Sequence, residues 1–193
     1  MINHNTKCLF IHIPRCAGSS MEKILTNNDY ILNGHYHIRY QEHLNHNKQI
    51  KDYFKFTFVR NPYDKLVSEY FWFKDQYNKW NDANTKKLYR DKTFKEFVTI
   101  FLSDEARGDH YHRFTYHQML EPVSDISFIG RYENLSEDFD IVCNTIGVSQ
   151  QTLPHVYKTR HDHYSEYYDN ETRELVACRY ARDIERFKYK FED

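Results

Sequence analysis

Short apolar runs alternate with longer stretches of helical periodicity along this chain of 193 residues. The runs at residues 9–13, 54–59 and 126–129 consist mainly of aliphatic and aromatic side chains, and each predicts a buried β-strand. The stretches between them repeat their apolar positions every three or four residues. They predict the following helices: residues 19–27, a long helix from Pro62, a helix capped by Thr93, residues 116–120, residues 136–146 and a last long helix from Asn170. This alternation is typical of an α/β domain with a mainly parallel sheet.

Residues with special backbone or capping properties mark the ends of these helices. Pro62 suits a first helical turn, where its missing N–H costs little, and Gly147 suits the C′ position after a helix. Thr93 and Asn170 are expected to be N-caps. In the last helix we expect four apolar side chains to face inward: Leu175, Val176, Ile184 and Phe187. The polar residues 34–46 predict a loop with some helix, and residues 78–91 a surface excursion.

Charge and cysteine content argue against several classes of protein. The 27 Lys and Arg residues nearly balance the 28 Asp and Glu residues, for a net charge of −1, and no basic block favours polymeric nucleic acid as a partner. Four cysteines without a C-x-x-C pair argue against a disulfide framework or a zinc knuckle. No apolar run approaches the ~20 residues that span a membrane. We therefore expect a cytoplasmic protein with no membrane segment in this chain, and a removed anchor stays open.

A turn with the composition of an anion site follows the first predicted strand. It combines one cation, Arg15, with Gly18 and the hydroxyls of Ser19 and Ser20, directly before the first predicted helix. A helix N-terminus offers backbone N–H groups and a partial positive charge to a phosphate. The turn lacks the first Gly and the late Lys of the Walker A pattern, which argues against an enzyme that hydrolyses ATP or GTP. A plain strand–turn–helix with capping serines is the alternative.

A second anion motif follows the second predicted strand. Arg60 stands at the end of that strand and Ser68 two turns into the next helix, and an arginine can bind a phosphate through two parallel hydrogen bonds. Ligands of parallel sheets bind beyond the carboxyl ends of the strands. Two such sites predict a ligand with phosphates at both ends. The alternative is that Arg60 forms an ion pair with Asp64 or Glu69.

Together the two motifs resemble those of the sulfotransferases that use 3′-phosphoadenosine 5′-phosphosulfate (PAPS), in the branch with carbohydrate sulfotransferases and many small bacterial enzymes. Residues 11–20 (IHIPRCAGSS) resemble the family's 5′-phosphosulfate loop, and residues 58–68 (FVRNPYDKLVS) resemble its 3′-phosphate segment. Residues 128–135, 153–164 and 183–189 are similar to the same branch. The resemblance implies a P-loop-like, three-layer α/β/α fold with a central, mainly parallel sheet in a single domain, residues 1–193.

The resemblance also implies roles for individual residues. The 5′-phosphosulfate of the donor is expected at this run of residues: Arg15, Cys16, Ala17, Gly18, Ser19 and Ser20. Arg60 and Ser68 are expected to hold its 3′-phosphate, and Lys158 and Arg160 to lie over the nucleotide. The family usually has Lys at the place of Arg15. An arginine keeps the charge but does not release a proton near neutral pH, so Arg15 is expected to act electrostatically.

A histidine between the two motifs is the expected general base. His35 matches the place of the catalytic histidine in the resembled branch, and His37 is the second candidate and an expected substrate contact. Arg113 and Gln118 are expected to touch the acceptor, and an exposed helix start explains them equally well. Three H-x-H patterns make a metal site a rival interpretation. Because none of them forms H-E-x-x-H, we expect no metal.

The sequence therefore predicts an enzyme that transfers a sulfuryl group from PAPS to a hydroxyl of a carbohydrate or small metabolite by in-line displacement. The product would be 3′-phosphoadenosine 5′-phosphate (PAP). Two alternatives stay open: a nucleotide or small-metabolite kinase on a similar sheet, and a nucleotide-binding protein without activity. The missing Walker Lys argues against the kinase. The sequence leaves the acceptor and the oligomeric state open.

Overall fold

The computed structural model describes residues 1–26, 37–75, 89–103, 111–150, 152–154, 156 and 159–192. The strands in these ranges are β1 (Ile2–Asn3), β2 (Cys8–Ile11), β3 (Phe54–Val59) and β4 (Phe128–Arg131). The helices are α1 (Gly18–Thr26), α2 (Tyr40–His46), α3 (Pro62–Asp75), α4 (Phe94–Leu102), α5 (Tyr116–Leu120), α6 (Leu135–Ile146), α7 (Asn170–Arg179) and α8 (Ala181–Phe187). None of these helices is long and apolar enough to cross a bilayer.

Short 3-10 turns lie between these elements, and contacts divide the chain into two compact units. The turns are Lys48–Asp52, Tyr111–Arg113, Val123–Asp125, Tyr132–Asn134 and Tyr164–Tyr167. The first unit is Met1–Arg60 with Tyr116–Tyr157, and the second is Asn61–Thr115 with Lys158–Asp193. That both units form a single domain stays a prediction.

The first unit is built around a four-stranded sheet in the order β1-β2-β3-β4. β2 pairs with β3 and β3 with β4 in parallel, while β1 runs antiparallel to β2. Helix α6 packs against β4, and Gly147, with a φ of 73°, ends this helix at the predicted C′ position. The sheet is mostly parallel and flanked by helices, which confirms the predicted α/β class.

Both ends of β2 and of β4 differ from the predicted strands by one or two residues. β2 ends at Ile11, whose carbonyl accepts the Thr57 hydroxyl at 2.8 Å. β4 begins at Phe128, two residues late, because a 3-10 turn holds the Ile126 amide on the Val123 carbonyl at 3.2 Å. The two-residue β1 has no apolar run long enough to predict it, and sequence reasoning missed it.

The second unit is helical, and aromatic rings dominate its core. Helices α3 and α4 and the residue that follows α7 contribute many of these rings: Tyr63, Tyr70, Phe73, Phe94, Phe97, Phe101 and Tyr180. Thr93 is the N-cap of α4, as predicted. Its hydroxyl accepts the Glu96 amide at 3.3 Å, and the Glu96 carboxylate accepts the Thr93 amide at 2.8 Å. This reciprocal pair satisfies two amides at the start of the helix.

The last predicted helix is wrong in three details. Its N-cap is Asp169 rather than Asn170, because the Asp169 carboxylate accepts an amide of the first turn. The helix is broken at Tyr180 into α7 and α8, and the Tyr180 side chain is fully buried at the break. Leu175 was expected to face inward and is 37% exposed. Its neighbour Val176, about 100° further round the helix, is the residue that faces the core.

Candidate functional site

A tight loop connects β2 to α1, and we name residues 12–18 the donor loop, after the sulfuryl donor expected there. Arg15 and Ala17 have left-handed backbone conformations, with φ of 61° and 63°, which residues with a side chain rarely adopt. The Ala17 carbonyl accepts the amides of Ser20 at 3.0 Å and Met21 at 3.2 Å. The loop thus turns sharply into α1, and the positive end of the helix dipole is presented to an anion there.

Gly18 lies against the imidazole of His12, at the opposite end of the donor loop. A Cβ atom added to Gly18 would stand 2.0 Å from Cδ2 and 2.1 Å from Nε2 of the ring. Such distances are far inside van der Waals contact, so position 18 accepts no side chain while the ring is in place. The sequence predicts that Gly18 lets the backbone approach a phosphate. The nearby His12 ring is a second reason why a glycine is required at this position.

The His12 side chain is the centre of a buried cluster under the donor loop. It is 4% exposed, its ring stacks on Phe10, and its Nδ1 lies 2.7 Å from Oε1 of Glu22 on α1. The ring of His37 meets it edge-on, with 4.2 Å between centroids and an interplanar angle of 73°. His37 Nδ1 also lies 3.2 Å from the His12 carbonyl oxygen. His12 therefore contacts the donor loop, the first helix and the segment of His37.

Burial raises the pKa of the Glu22 carboxyl to about 7, and the positive amino group of Met1 opposes this shift. The folded protein keeps a proton on Glu22 up to about pH 7, whereas an exposed glutamate has its ordinary value of 4.5. The folded state therefore binds more protons than the unfolded state between these values. The contribution of Glu22 to stability therefore falls as the pH rises through this window. The Met1 amino group acts in the opposite sense above about pH 6, because burial lowers its pKa from 8.0 to about 6.

We expect Glu22→Gln to remove this loss of stability, because the glutamine amide does not ionise and therefore never places a charge in this buried position. The free energy of unfolding should match that of the wild type near pH 4 and exceed it by about 3 kcal/mol at pH 8. Urea unfolding at the two pH values measures the difference. The matched control is Glu174→Gln at an exposed position, which should be neutral at both. Equal stability of wild type and Glu22→Gln at pH 8 would contradict the assignment.

Arg60 follows β3 directly and reaches the donor loop. Because Ile11 pairs with Thr57 in parallel, β2 and β3 end at the same edge of the sheet. The Arg60 guanidinium donates from Nη1 to the Arg15 carbonyl at 3.2 Å and lies 4.0 Å from the centre of the Tyr132 ring. The residue is only 6% exposed. The structure thus brings together the two arginines that the sequence assigned to separate motifs.

The backbone of Arg60 is fixed by Tyr116 at the start of α5. The Tyr116 hydroxyl donates to the Arg60 carbonyl and accepts the Arg60 amide at 3.3 Å. Tyr116 is fully buried. A buried hydroxyl that satisfies both backbone groups of one residue holds the guanidinium's point of attachment in place.

Ser68 lies on α3 in the second unit and is 1% exposed. Its Oγ is 3.4 Å from Oγ1 of Thr159, so the structure brings it next to the residue between the two expected nucleotide contacts Lys158 and Arg160. Arg160 is exposed, and Lys158 lies outside the described residues. A shared role of these side chains stays a prediction.

A buried cluster of charged and polar side chains lies on the helix that carries Ser68. Lys65 Nζ lies 3.0 Å from Oε1 of Glu69, and Glu69 Oε2 lies 2.6 Å from Nδ1 of His112. Lys65 also donates to the His112 carbonyl at 3.2 Å. Glu69, one of the two carboxylates that the sequence offers as partners of Arg60, pairs instead with Lys65 and lies within hydrogen-bond distance of His112 in the second unit.

The remaining predicted site residues lie in different surroundings. His35 lies outside the described residues. Gln118 is exposed on α5. The Arg113 guanidinium donates to the carbonyls of Phe101, at 2.9 Å, and Ser103 at the end of α4, where a cation also suits the helix dipole. Contact of Arg113 or Gln118 with an acceptor stays a prediction.

The remaining residues of the predicted 5′-phosphosulfate site lie around the start of α1. Ser20 Oγ accepts the Val156 amide at 3.3 Å, which ties the start of α1 to the segment before Lys158. Cys16 is buried, whereas Ala17 and Ser19 are partly exposed.

Across the ranges that the structure describes, no cluster of three or more His, Cys, Asp or Glu side chains has the arrangement of a metal site.

Comparison with known proteins gives one family and several relatives. The chain matches the sequence profile of the Sulfotransferase family over residues 1–190. It is 27% identical to human carbohydrate sulfotransferase 10 over 209 residues, which cover 92% of this chain and 59% of that protein. It is 23% identical to carbohydrate sulfotransferase 14 of Danio rerio over 184 residues, which cover 78% of this chain and 48% of that protein. The chain thus spans roughly half the length of these curated relatives.

Proposed function

Since the chain belongs to the sulfotransferase family, we propose that it transfers a sulfuryl group from PAPS to a hydroxyl of a carbohydrate or small metabolite. One contact supports this above all others: Arg60 Nη1 donates to the Arg15 carbonyl at the N-terminus of α1. The Arg60 guanidinium thereby lies at the backbone of the loop that leads into α1, beyond the ends of two parallel strands, which is a place that suits a phosphate group. The names of the relatives favour a carbohydrate as the acceptor.

The resemblance to the family assigns each end of the nucleotide to its own group of residues. The amides of Ser20 and Met21 already donate to Ala17, so the 5′-phosphosulfate would meet the amides of Gly18 and Ser19. Arg60 and Ser68 would hold the 3′-phosphate. The residues expected over the nucleotide are Lys158 and Arg160, next to Thr159, which lies against Ser68.

The transfer itself is an in-line displacement at sulfur. The acceptor oxygen forms a bond to sulfur while the bond between sulfur and the bridging phosphate oxygen breaks. The electron pair of the broken bond stays on that oxygen, so negative charge grows on the 5′-phosphate of PAP. The start of α1 and the guanidinium of Arg15 would stabilise this charge through a fixed electrostatic environment.

The acceptor proton would go to a histidine that precedes α2. His35 is the first candidate and His37 the second. In neutral His37, Nδ1 can donate to the His12 carbonyl 3.2 Å away, which makes Nε2 the basic nitrogen. A base with such a fixed tautomer is ready to accept a proton without rearrangement.

Ligand-induced stabilisation distinguishes the proposed enzyme from a kinase. PAP at a hundred times its dissociation constant should raise the free energy of unfolding by about 2.7 kcal/mol, whereas ATP with magnesium should raise it far less. Thermal unfolding with each ligand measures this. Stabilisation by ATP with magnesium and not by PAP would overturn the proposal in favour of the kinase.

A transfer assay separates the enzyme from a nucleotide-binding protein without activity. PAPS with radiolabelled sulfur is incubated with the protein and a panel of carbohydrates and small hydroxylated metabolites. Label should move to at least one acceptor. Binding of PAP without transfer to any member of a broad panel would favour the inactive alternative.

A further inference from the structure

We propose that His12 is a positioning residue that fixes the donor loop and residues 37–39, named here the His37 segment, to each other, an inference that rests on the proposed function. The sequence motifs gave His12 no role. It would act on the transfer through its neighbours, by keeping the first turn of α1 and the His37 segment at a fixed distance and orientation. Three contacts of its side chain and backbone carry this inference.

The first contact is the packing of the imidazole against Gly18. The ring edge occupies the volume in which a Cβ atom would lie, as the distances of 2.0 and 2.1 Å show. The backbone of the donor loop therefore closes directly onto the ring. Any movement of the ring would move the first turn of α1, because interiors packed this closely leave no slack.

The second contact is the bond between His12 Nδ1 and Glu22 at 2.7 Å. Glu22 lies four residues after Gly18, so both are on the same face of α1. The ring is thereby held along one turn of the helix, by close packing at Gly18 and by a hydrogen bond at Glu22. Both partners are buried, which favours a single orientation of the imidazole.

The third contact joins His12 to His37. The two rings meet edge-on at 4.2 Å between centroids, and His37 Nδ1 lies 3.2 Å from the His12 carbonyl. His37 lies two residues after His35, the first candidate for the base. His12 thus contacts the expected site of the leaving phosphate on one side and the His37 segment on the other.

A double-mutant cycle between positions 12 and 18 tests the first contact. Gly18→Ala alone should weaken PAP binding about tenfold or more, because overpacking shifts the donor loop. In a His12→Ala background the same Gly18→Ala change should alter the dissociation constant less than about twofold. Titration calorimetry measures the four constants. An equal effect of Gly18→Ala in both backgrounds would overturn the proposal.

His12→Asn tests the coupling to His37. The asparagine keeps an amide donor toward Glu22 but removes the ring edge that meets His37. We expect kcat to fall about tenfold to a hundredfold, while the dissociation constant of PAP stays within about threefold. A purely structural role would lower the melting temperature without separating kcat from PAP binding, and that result would refute the coupling.

The measurements also separate this proposal from the proposed function. If the wild type does not bind PAP, the proposed function fails. The double-mutant cycle is then measured by the thermal unfolding midpoint, which Gly18→Ala should lower only when His12 is present. If the wild type binds PAP and the cycle shows no coupling, only the role of His12 fails. Should Gly18→Ala not fold, recovery of a folded protein in the double variant supports the proposal, and continued failure overturns it.

Discussion

We expect the His35→Ala variant to lose transfer activity by a factor of about 10² to 10⁴ while it binds PAP as the wild type does. The reason is that a general base acts on the acceptor proton in the transition state, whereas other residues would hold the nucleotide. A fall in kcat with an unchanged dissociation constant of PAP is the expected pattern. Initial rates with labelled PAPS and calorimetric titration with PAP give the two quantities.

Two further histidine variants complete this experiment. His46→Ala on α2 is the matched control, because His46 is exposed, and its activity should equal that of the wild type. His37→Ala tests the second candidate. A large loss in His37→Ala with normal activity in His35→Ala would exchange their roles. Normal activity in both would mean that the base is neither of them.

The second large effect is expected for Arg60→Ala, which should bind PAP about tenfold to a hundredfold more weakly. A hydrogen bond to a charged group contributes about 1.5–3 kcal/mol, and each 1.4 kcal/mol is a factor of ten. The variant also loses the bond to the Arg15 carbonyl and the contact with Tyr132. Calorimetric titration measures the loss, and Arg182→Ala, at an exposed position, is the control.

Adenosine 5′-monophosphate distinguishes the two ways in which Arg60 would act. This nucleotide lacks the 3′-phosphate, so a direct contact of Arg60 with that group predicts that Arg60→Ala weakens PAP binding and spares the monophosphate. If Arg60 acts by shaping the donor loop, both nucleotides lose affinity equally. An unchanged dissociation constant for PAP would refute either role.

The parts of the fold that local chemistry determines could be predicted from the sequence. β3 consists mainly of aromatic and β-branched residues and ends at Val59, shortly before Pro62 begins a helix, and the predicted bounds of this strand are confirmed. Thr93 and Gly147 act at helix ends through their own side chain or backbone. In each case the deciding interaction lies within a few residues of the chain.

Other boundaries depend on contacts that the sequence does not display. Helical periodicity continues through Tyr180, but the structure divides the last helix at this residue, whose side chain is fully buried. The spacing of Leu175 and Val176 fits an inward face for either residue, and packing against α4 selects Val176. Where the local pattern was ambiguous, tertiary contacts therefore determined which residue faces the core.

The candidate site shows the same division. Arg15, Gly18 and Arg60 belong to compact motifs and could be singled out from the sequence. The pairing of His12 with Glu22 could not, since ten residues separate them and nothing in the pattern relates an imidazole before a turn to a carboxylate within the next helix. Tyr132 lies in a motif that resembles the family, but its place beneath Arg60 follows from the parallel pairing of β3 and β4.

The hydrogen bond from Arg60 to the Arg15 carbonyl has a consequence for the amide that follows. A trans peptide group is planar, so its C=O and N–H vectors are antiparallel. By orienting the Arg15 carbonyl, the guanidinium also orients the N–H vector of Cys16 in the opposite sense. The Arg60 side chain thus fixes the orientation of the peptide group between Arg15 and Cys16. It thereby determines on which side of the loop the carbonyl oxygen lies and on which side the amide hydrogen lies.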